Sequence, residues 1–165
     1  MNAEAAQLIS KLGLAPLPGE GGYFARTWTS ALAGPDGRPA GSAILFLLAA
    51  GDFSALHRLL TDEIWHYHAG DPAELALLDP SAGSCHTRLL GPDVAGGHAP
   101  FAIAPAGVWQ GARICDAGRA ASRGWTLFGC TLSPAWDERE FELAQRGELL
   151  RVFPAHAGLI RALTR

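Results

Sequence analysis

The sequence predicts a mainly β fold, a sandwich or barrel, with short helices at its two ends. Three observations support this prediction. Short runs rich in aromatic and β-branched residues recur from Tyr23 to about Ser133. Segments rich in Gly, Pro and Asp separate these runs, for example residues 34–41 and 91–97. Long helical periodicity is missing from this region, and helical patterns occur only before and after it.

The first element is a helix between Asn2 and Gly13. The side chain of Asn2 can cap the helix start, and Gly13 can close its end. The apolar residues Leu8, Ile9 and Leu12 fall on one side, as in a helix that packs against a core.

A series of strands follows, each a run of a few residues bounded by turn residues. The predicted strands cover residues 23–29, 42–50, 53–60, 63–69, 74–78, 86–90, 101–104, 108–115 and 125–132. The run 42–50 is apolar at both alternating sets of positions, so we expect it to be covered on both faces. A subunit interface is one candidate for the outer cover, and a helix lying over the strand is the other.

The tail is predicted to be helical again. Asp137 followed by Glu140 resembles a capping box at a helix start, and Gly147 is expected to interrupt the helix. Pro154 should end this unit, and residues 155–163 form a last short helix.

Composition restricts the class of protein. The 165 residues are 48% hydrophobic and 18% charged, which is typical of one folded domain, here residues 1–165. The formal net charge of −3 comes from interspersed charges, so nucleic acid is not an expected partner. The longest apolar run is too short for a bilayer, and the start does not resemble a secretion signal. With three widely spaced cysteines, these features predict a cytoplasmic protein that does not bind membranes.

Two segments carry a recognisable spacing of polar residues. Gly51, His57, Glu63 and Gly70 match much of the pattern G-x5-H-x-H-x3-E-x6-G, the first motif of the cupins. The segment 105–110, PAGVWQ, is similar to the second cupin motif, P-x-G-x2-H. The chain therefore resembles the cupin superfamily.

Longer runs narrow this resemblance to the small single-domain cupins often described as the fifth cupin family, which have no assigned function. The runs are 18–28, 57–72, 105–113, 128–137 and 141–150. The resemblance implies a jelly-roll, or double-stranded β-helix, barrel with an interior pocket for a small-molecule ligand. It also implies a homodimer, but no substrate, because a fold alone does not define an activity.

The motif positions predict a convergent site. Alternate residues of a strand share a face, so His57 and position 59 should both point inward. We expect Glu63 to enter from the neighbouring strand and Gln110 from across the sheet. Trp65 and Tyr67 would share the face of Glu63 and form walls of the pocket.

Metal binding is disfavoured by two departures from the cupin pattern. Metal-binding cupins use three imidazoles and a carboxylate, whereas Leu59 and Gln110 occupy two of those four positions. His57, Glu63 and Gln110 would form a poor set of metal ligands. His66 or His68 could supply a further imidazole if a bulge rotated their strand.

Three functions agree with these residues. The first is a metal-independent isomerase or epimerase acting on a small polar or sugar-type ligand, with His57 as proton acceptor and Glu63 as its orienting partner. The second is a metal-dependent oxygenase or isomerase, and the third is a non-enzymatic ligand-binding or sensor protein. The expected ligand-binding residues are Arg26, Trp65, Tyr67, His68 and Gln110.

Each assignment has a structural alternative. His57 and Glu63 could be a buried hydrogen-bonded pair without a catalytic role. Trp65 and Tyr67 could be ordinary core residues. Arg26 could hold an anionic ligand group with its planar guanidinium, or form an ion pair with Glu20, Asp62 or Glu63.

Overall fold

The computed structural model describes residues 2–115 and 121–165, and these residues form two antiparallel sheets that pack face to face. The strands are β1 (Ala15–Pro16), β2 (Tyr23–Thr29), β3 (Ser42–Ala49), β4 (Phe53–Arg58), β5 (Glu63–Gly70), β6 (Ala73–Asp79), β7 (Ser84–Leu90), β8 (Phe101–Ala104), β9 (Trp109–Ile114), β10 (Trp125–Leu132) and β11 (Glu142–Leu143). One sheet has the order β1-β2-β3-β10-β5-β8, and the other has the order β11-β4-β9-β6-β7. The predicted mainly β class is confirmed.

The helices lie near the ends of the chain. They are α1 (Ala3–Leu12), α2 (Arg146–Val152) and α3 (Ala157–Ala162), with 3-10 turns at Glu138–Glu140 and Pro154–His156. The predicted caps of α1 are confirmed, because Asn2 Oδ1 accepts a hydrogen bond from the Ala5 N–H at 2.9 Å and Gly13 has φ +63°.

The cover over the apolar strand 42–50 is helix α1. Leu47 and Ala49 are buried on the outer face of β3, where they pack in one cluster with Ala5 and Trp125. Of the two covers that the sequence left open, the structure therefore shows the helix.

The outer face of the five-stranded sheet is covered by the tail of the chain. Trp109 and Leu56 pack there against Leu149 of α2, Ile160 of α3 and Phe153, which directly follows α2. The tail differs from its prediction, because the segment after Asp137 forms a 3-10 turn and the short strand β11 before α2 begins. Gly147 lies inside α2 and does not interrupt it.

The chain changes sheet between β4 and β5. Strand β4 pairs with β9 and β11 in one sheet, whereas β5 pairs with β8 and β10 in the other. The sequence-based expectation that Glu63 lies on a neighbouring strand and Gln110 across the sheet is therefore reversed. Gln110 is the register partner of His57 within one sheet, and Glu63 faces both from the opposite sheet.

The space between the sheets is partly filled by an apolar core and partly open. Phe46, Trp65 and Cys130 belong to this core and also line the open part. These side chains therefore form the boundary between the filled part of the interior and a cavity that opens towards the surface.

Candidate functional site

A cavity of about 370 Å³ lies between the two sheets. Its side chains come from the 17–20 segment, from strands of both sheets and from the 136–141 segment. Most of them are apolar, namely Leu17, Pro18, Phe24, Ile44, Phe46, Leu59, Trp65, Cys130, Leu132, Trp136 and Phe141. The polar groups are Glu20, Arg26, Ser42, His57, Glu63 and Glu138. This composition is typical of a small-molecule site, where apolar walls surround a few polar groups.

His57 lies at the inner end of the cavity with only 2% of its surface exposed. Its Nδ1–H donates a hydrogen bond to the Ala55 carbonyl at 2.8 Å, because a carbonyl oxygen can only accept. Its Nε2 atom is 3.8 Å from Glu63 Oε2, and its ring stacks on Phe141 with centroids 5.4 Å apart. The ring is thereby held so that Nε2 is the nitrogen directed at Glu63.

Glu63 is held by a chain of two buried hydrogen bonds. The Gln110 amide donates to Glu63 Oε2 at 2.7 Å, and the Trp65 indole N–H donates to Gln110 Oε1 at 2.7 Å. Trp65 and Gln110 each expose only 1% of their surface. Both ends of the Gln110 amide are used, so its orientation follows from its two neighbours.

Glu20 is a second carboxylate beside His57, and sequence reasoning did not place it in the site. Its Oε1 accepts a hydrogen bond from Ser54 Oγ at 2.7 Å and lies 4.0 Å from His57 Nδ1. The signal that could have found it is the position of one acidic residue inside the turn segment 18–22, where Gly and Pro make up the rest. A buried acid in such a segment needs partners, because an unpaired buried charge is costly.

The two carboxylates determine the charge of His57. Burial by itself lowers the pKa of His57, but the negative charges of Glu20 and Glu63 and the Ala55 carbonyl outweigh it and raise the pKa to about 9. Burial raises the pKa of Glu20, against the opposing effects of the His57 charge and the Ser54 hydroxyl. At neutral pH the imidazole is therefore protonated, which favours a proton-donating role in place of the accepting role expected from the sequence.

Arg26 lies at the exposed edge of the cavity, where its guanidinium stands 5.7 Å from the ring centre of Trp136. The ion pairs considered for it, with Glu20, Asp62 or Glu63, do not form. Within residues 2–115 and 121–165, no hydrogen bond or ion pair involves Arg26, so its guanidinium remains available to a ligand.

Three residues expected to bind ligand, namely Tyr67, His68 and Gln110, do not line the cavity. Gln110 is buried, and its amide is bonded to Glu63 and Trp65. The Tyr67 hydroxyl donates a hydrogen bond to the Gly70 carbonyl at 2.7 Å, and its ring packs against the apolar core. His68 is exposed, and its ring lies over Gly129 on the outer face of the sheet. The geometry therefore gives none of the three a contact with a ligand in this cavity, although a bulge does occur in the pairing of β5 with β10.

The segment that carries Glu20 is fixed by contacts to distant parts of the chain. The Gly22 N–H donates to Asp52 Oδ2 at 2.8 Å. Arg165 donates to the Gly19 carbonyl at 3.0 Å and to Asp52 Oδ1 at 2.9 Å. These contacts hold one wall of the cavity, and with it the second carboxylate, against the sheet.

The family model described as "Cupin superfamily (DUF985)" matches residues 6–144. The chain belongs to the cupin superfamily. The assignment agrees with the two packed sheets and with His57 and Glu63 at the positions of the first cupin motif.

Solved structures show the same fold over 90% or more of this cupin. A protein from Shewanella oneidensis is 33% identical with a TM-score of 0.87, covering 100% of this chain and 98% of that one. A hypothetical protein from Leishmania major is 31% identical with a TM-score of 0.86, covering 99% of each chain. A cupin 2 domain-containing protein from Halorhodospira halophila is 16% identical with a TM-score of 0.56, covering 90% of this chain and 86% of that one, and it shows the fold alone.

Two further observations concern the cupin as a whole. No curated protein matches the chain. Among the helices that the structure describes, none combines the length and apolar character needed to cross a membrane.

The residues of this cupin do not fit a transition metal. Leu59, at one of the four ligand positions, is a buried apolar side chain, and the carbonyl oxygen of Gln110 already accepts from Trp65. The Gln110 amide nitrogen faces Glu63, so it competes with any cation for that carboxylate. Among the described residues, no group of three or more His, Cys, Asp or Glu side chains is arranged to hold a metal ion.

Proposed function

We propose that this cupin is a metal-independent isomerase or epimerase that moves a proton on a small carbonyl compound bound in the cavity. The observation that carries the proposal is the pair His57 and Glu63, which meet across 3.8 Å at the cavity's inner end. The positions of Leu59 and Gln110 support chemistry without a metal, because neither leaves a free ligand atom directed at that pair.

The protonated imidazole suits the role of acid. In the proposed reaction, His57 Nε2–H donates a hydrogen bond to the carbonyl oxygen of the substrate. This stabilises the negative charge that develops there when the neighbouring C–H bond breaks. The hydrogen bond from Nδ1–H to Ala55 and the stacking on Phe141 hold the ring in one orientation for this task.

The Glu63 carboxylate suits the role of base. It takes the proton from carbon, and the C–H electrons move into an enolate. In an isomerisation the enolate is conjugated with a C=C bond, and protonated Glu63 returns the proton to the far carbon of that system. In an epimerisation the planar enolate turns over before protonated Glu63 returns the proton to the same carbon. The Gln110 amide fixes the carboxylate without donating to the substrate. Atoms and charges balance without a redox partner, so the reaction needs only the two side chains and the bound compound.

The test is proton exchange in D2O with a panel of small 2-oxo acids, 3-oxo acids, aldoses and ketose phosphates, followed by NMR. We expect at least one class to exchange the proton next to its carbonyl faster with the protein than in buffer. The Glu63→Gln and His57→Gln variants should each lose on the order of 100-fold or more of that rate, as is typical for removal of an acid or base.

The matched control is His66→Gln, because His66 lies on the outer face of the same strand near Thr131 and Phe101. It should exchange at the wild-type rate. Equal rates for the wild type and both site variants would contradict the proposal, as would exchange that appears only after a divalent metal is added.

A further inference from the structure

We infer that the substrate is a small carboxylate with a hydrocarbon body. Its carboxylate would bind Arg26 at the mouth of the cavity, and its carbonyl end would reach His57. The inference rests on the proposed function, because the reacting end is placed at the proposed acid. It narrows the ligand class, since it excludes the sugar-type ligands that the sequence left open.

The walls of the cavity favour a hydrocarbon body. Four aromatic side chains face the space inside, namely those of Phe24, Phe46, Trp65 and Phe141. Aliphatic surface is added by Leu59 and Leu132. A sugar would place several hydroxyl groups against these walls, and each buried hydroxyl without a partner weakens binding substantially. A flat or branched hydrocarbon gains from the same contact.

The inner end has few polar groups, and most of their hydrogen-bonding capacity is already used within the protein. They cannot satisfy the hydroxyl groups of a sugar. His57 Nδ1 is bonded to Ala55, Glu20 Oε1 to Ser54 and Glu63 Oε2 to Gln110. What remains directed at the cavity is His57 Nε2 and the unshared capacity of two carboxylates. That set can recognise one carbonyl or hydroxyl group but cannot satisfy the ring of hydroxyls on a hexose.

Charge places the carboxylate of the ligand at the mouth. The inner end holds the carboxylates of Glu20 and Glu63 around one imidazole, so an anion there would meet more negative than positive charge. At the mouth, Arg26 has no ion-pair partner among the described residues and lies 5.7 Å from the Trp136 ring centre. A planar guanidinium beside an aromatic ring is well suited to hold a carboxylate next to a hydrophobic body.

The volume of the cavity agrees with a small carboxylate ligand. A cavity of about 370 Å³ lies near the small end of the range of about 300–1,000 Å³ that is usual for ligand sites. A sugar nucleotide would therefore extend far outside, whereas a compound with one ring and a short acid chain fits.

The test compares three probes by isothermal titration calorimetry: 3-benzoylpropionate, its neutral primary amide and glucose 6-phosphate. We expect 3-benzoylpropionate to bind, the amide to bind about fivefold to tenfold more weakly, and glucose 6-phosphate to bind least. In the Arg26→Gln variant the acid should bind no better than the amide, while the affinity of the amide stays unchanged. Arg113→Gln is the matched control, because Arg113 pairs with Glu74 away from the cavity and should leave all three affinities unchanged.

Three results would overturn the inference: equal affinity for acid and amide, an unchanged acid affinity in Arg26→Gln, or tighter binding of glucose 6-phosphate than of 3-benzoylpropionate. The same samples separate this inference from the proposed function. In D2O, Glu63→Gln should lose any exchange of the CH2 protons next to the ketone, while it still binds 3-benzoylpropionate more tightly than the amide. Selective binding without exchange in the wild type would uphold the ligand class and count against the proposed reaction.

Discussion

Raising the pH from 6 to 9.5 removes the proton from His57, and the folded state should lose stability as a result. The pKa of His57 is about 9 in the folded protein, against 6.5 for an ordinary histidine. A pKa raised by folding stabilises the protein fully below the unfolded value, and this contribution is lost as the pH rises through the folded value. At about 1.36 kcal/mol for each pH unit of difference, the contribution amounts to about 3 kcal/mol.

The assay is urea unfolding at half-unit steps from pH 6 to pH 9.5, with the wild type, His57→Gln and His66→Gln compared. The wild type and His66→Gln should lose about 3 kcal/mol more than His57→Gln, mostly between pH 6.5 and 9. The wild type differs from His57→Gln only at position 57, and His66→Gln shows the effect of removing an imidazole elsewhere, so the comparison isolates His57. NMR of the ring protons should give a midpoint near 9 for this residue.

Two results would refute the reasoning. The first is a stability of His57→Gln that falls in parallel with the wild type between pH 6.5 and 9. The second is an NMR midpoint for His57 near 6.5, which would mean that Glu20 and Glu63 do not stabilise its charge. Either result would also remove the support for His57 as an acid at neutral pH.

Four further predictions follow from the same contacts. Trp65→Phe should lower the free energy of unfolding by about 2–4 kcal/mol, because it opens a void in the core and leaves Gln110 Oε1 without its donor; a loss below about 1 kcal/mol in urea unfolding would contradict this. The Leu59→His, Gln110→His double variant should take up a divalent transition metal in equilibrium dialysis while the wild type does not, and equal uptake by both would contradict the conclusion that the wild-type residues do not fit a metal. Gly21→Ala should cost about 2 kcal/mol and weaken ligand binding, because a Cβ there meets Arg165 and the Phe53 carbonyl, whereas Gly37→Ala, where φ is also positive but the space is open, should cost less and leave binding unchanged. The homodimer implied by the family resemblance stays a prediction that light scattering at micromolar concentration checks, and a monomer would contradict it.

Strands and caps could be predicted because they depend on local patterns. The bounds of β2, β8 and β10 agree with the predicted runs, since the alternation of inward and outward residues is visible within a few positions. The start and end of α1 depend on single residues whose preferred conformations are known. The two-residue strands β1 and β11 were missed, because two residues contain no period.

The partners of each strand could not be predicted in the same way. Alternation shows which residues share a face, but not which strand lies beside them or which sheet they join. His57 and Glu63 were correctly expected to face each other, yet they do so from two sheets. Tyr67 shares the inward face with Trp65 but is only partly buried, and it packs against the core outside the cavity. Glu20 was missed because its contacts with Ser54 and His57 join segments more than 30 positions apart.

The two walls of the cavity differ in how much change they can accept. At Gly21 and Gly22 the φ angles are positive and neighbouring atoms are close, so a larger residue would be strained there. The wall beside Glu20 therefore tolerates few substitutions. Another part of the lining consists of Trp136, in a loop, and Glu138, at the start of a 3-10 turn, and both side chains are solvent-exposed. Substitutions there can reshape the opening without disturbing His57. Relatives that diverge in ligand preference should therefore differ mainly along that rim, and a mutant library aimed at new ligands is best confined to it.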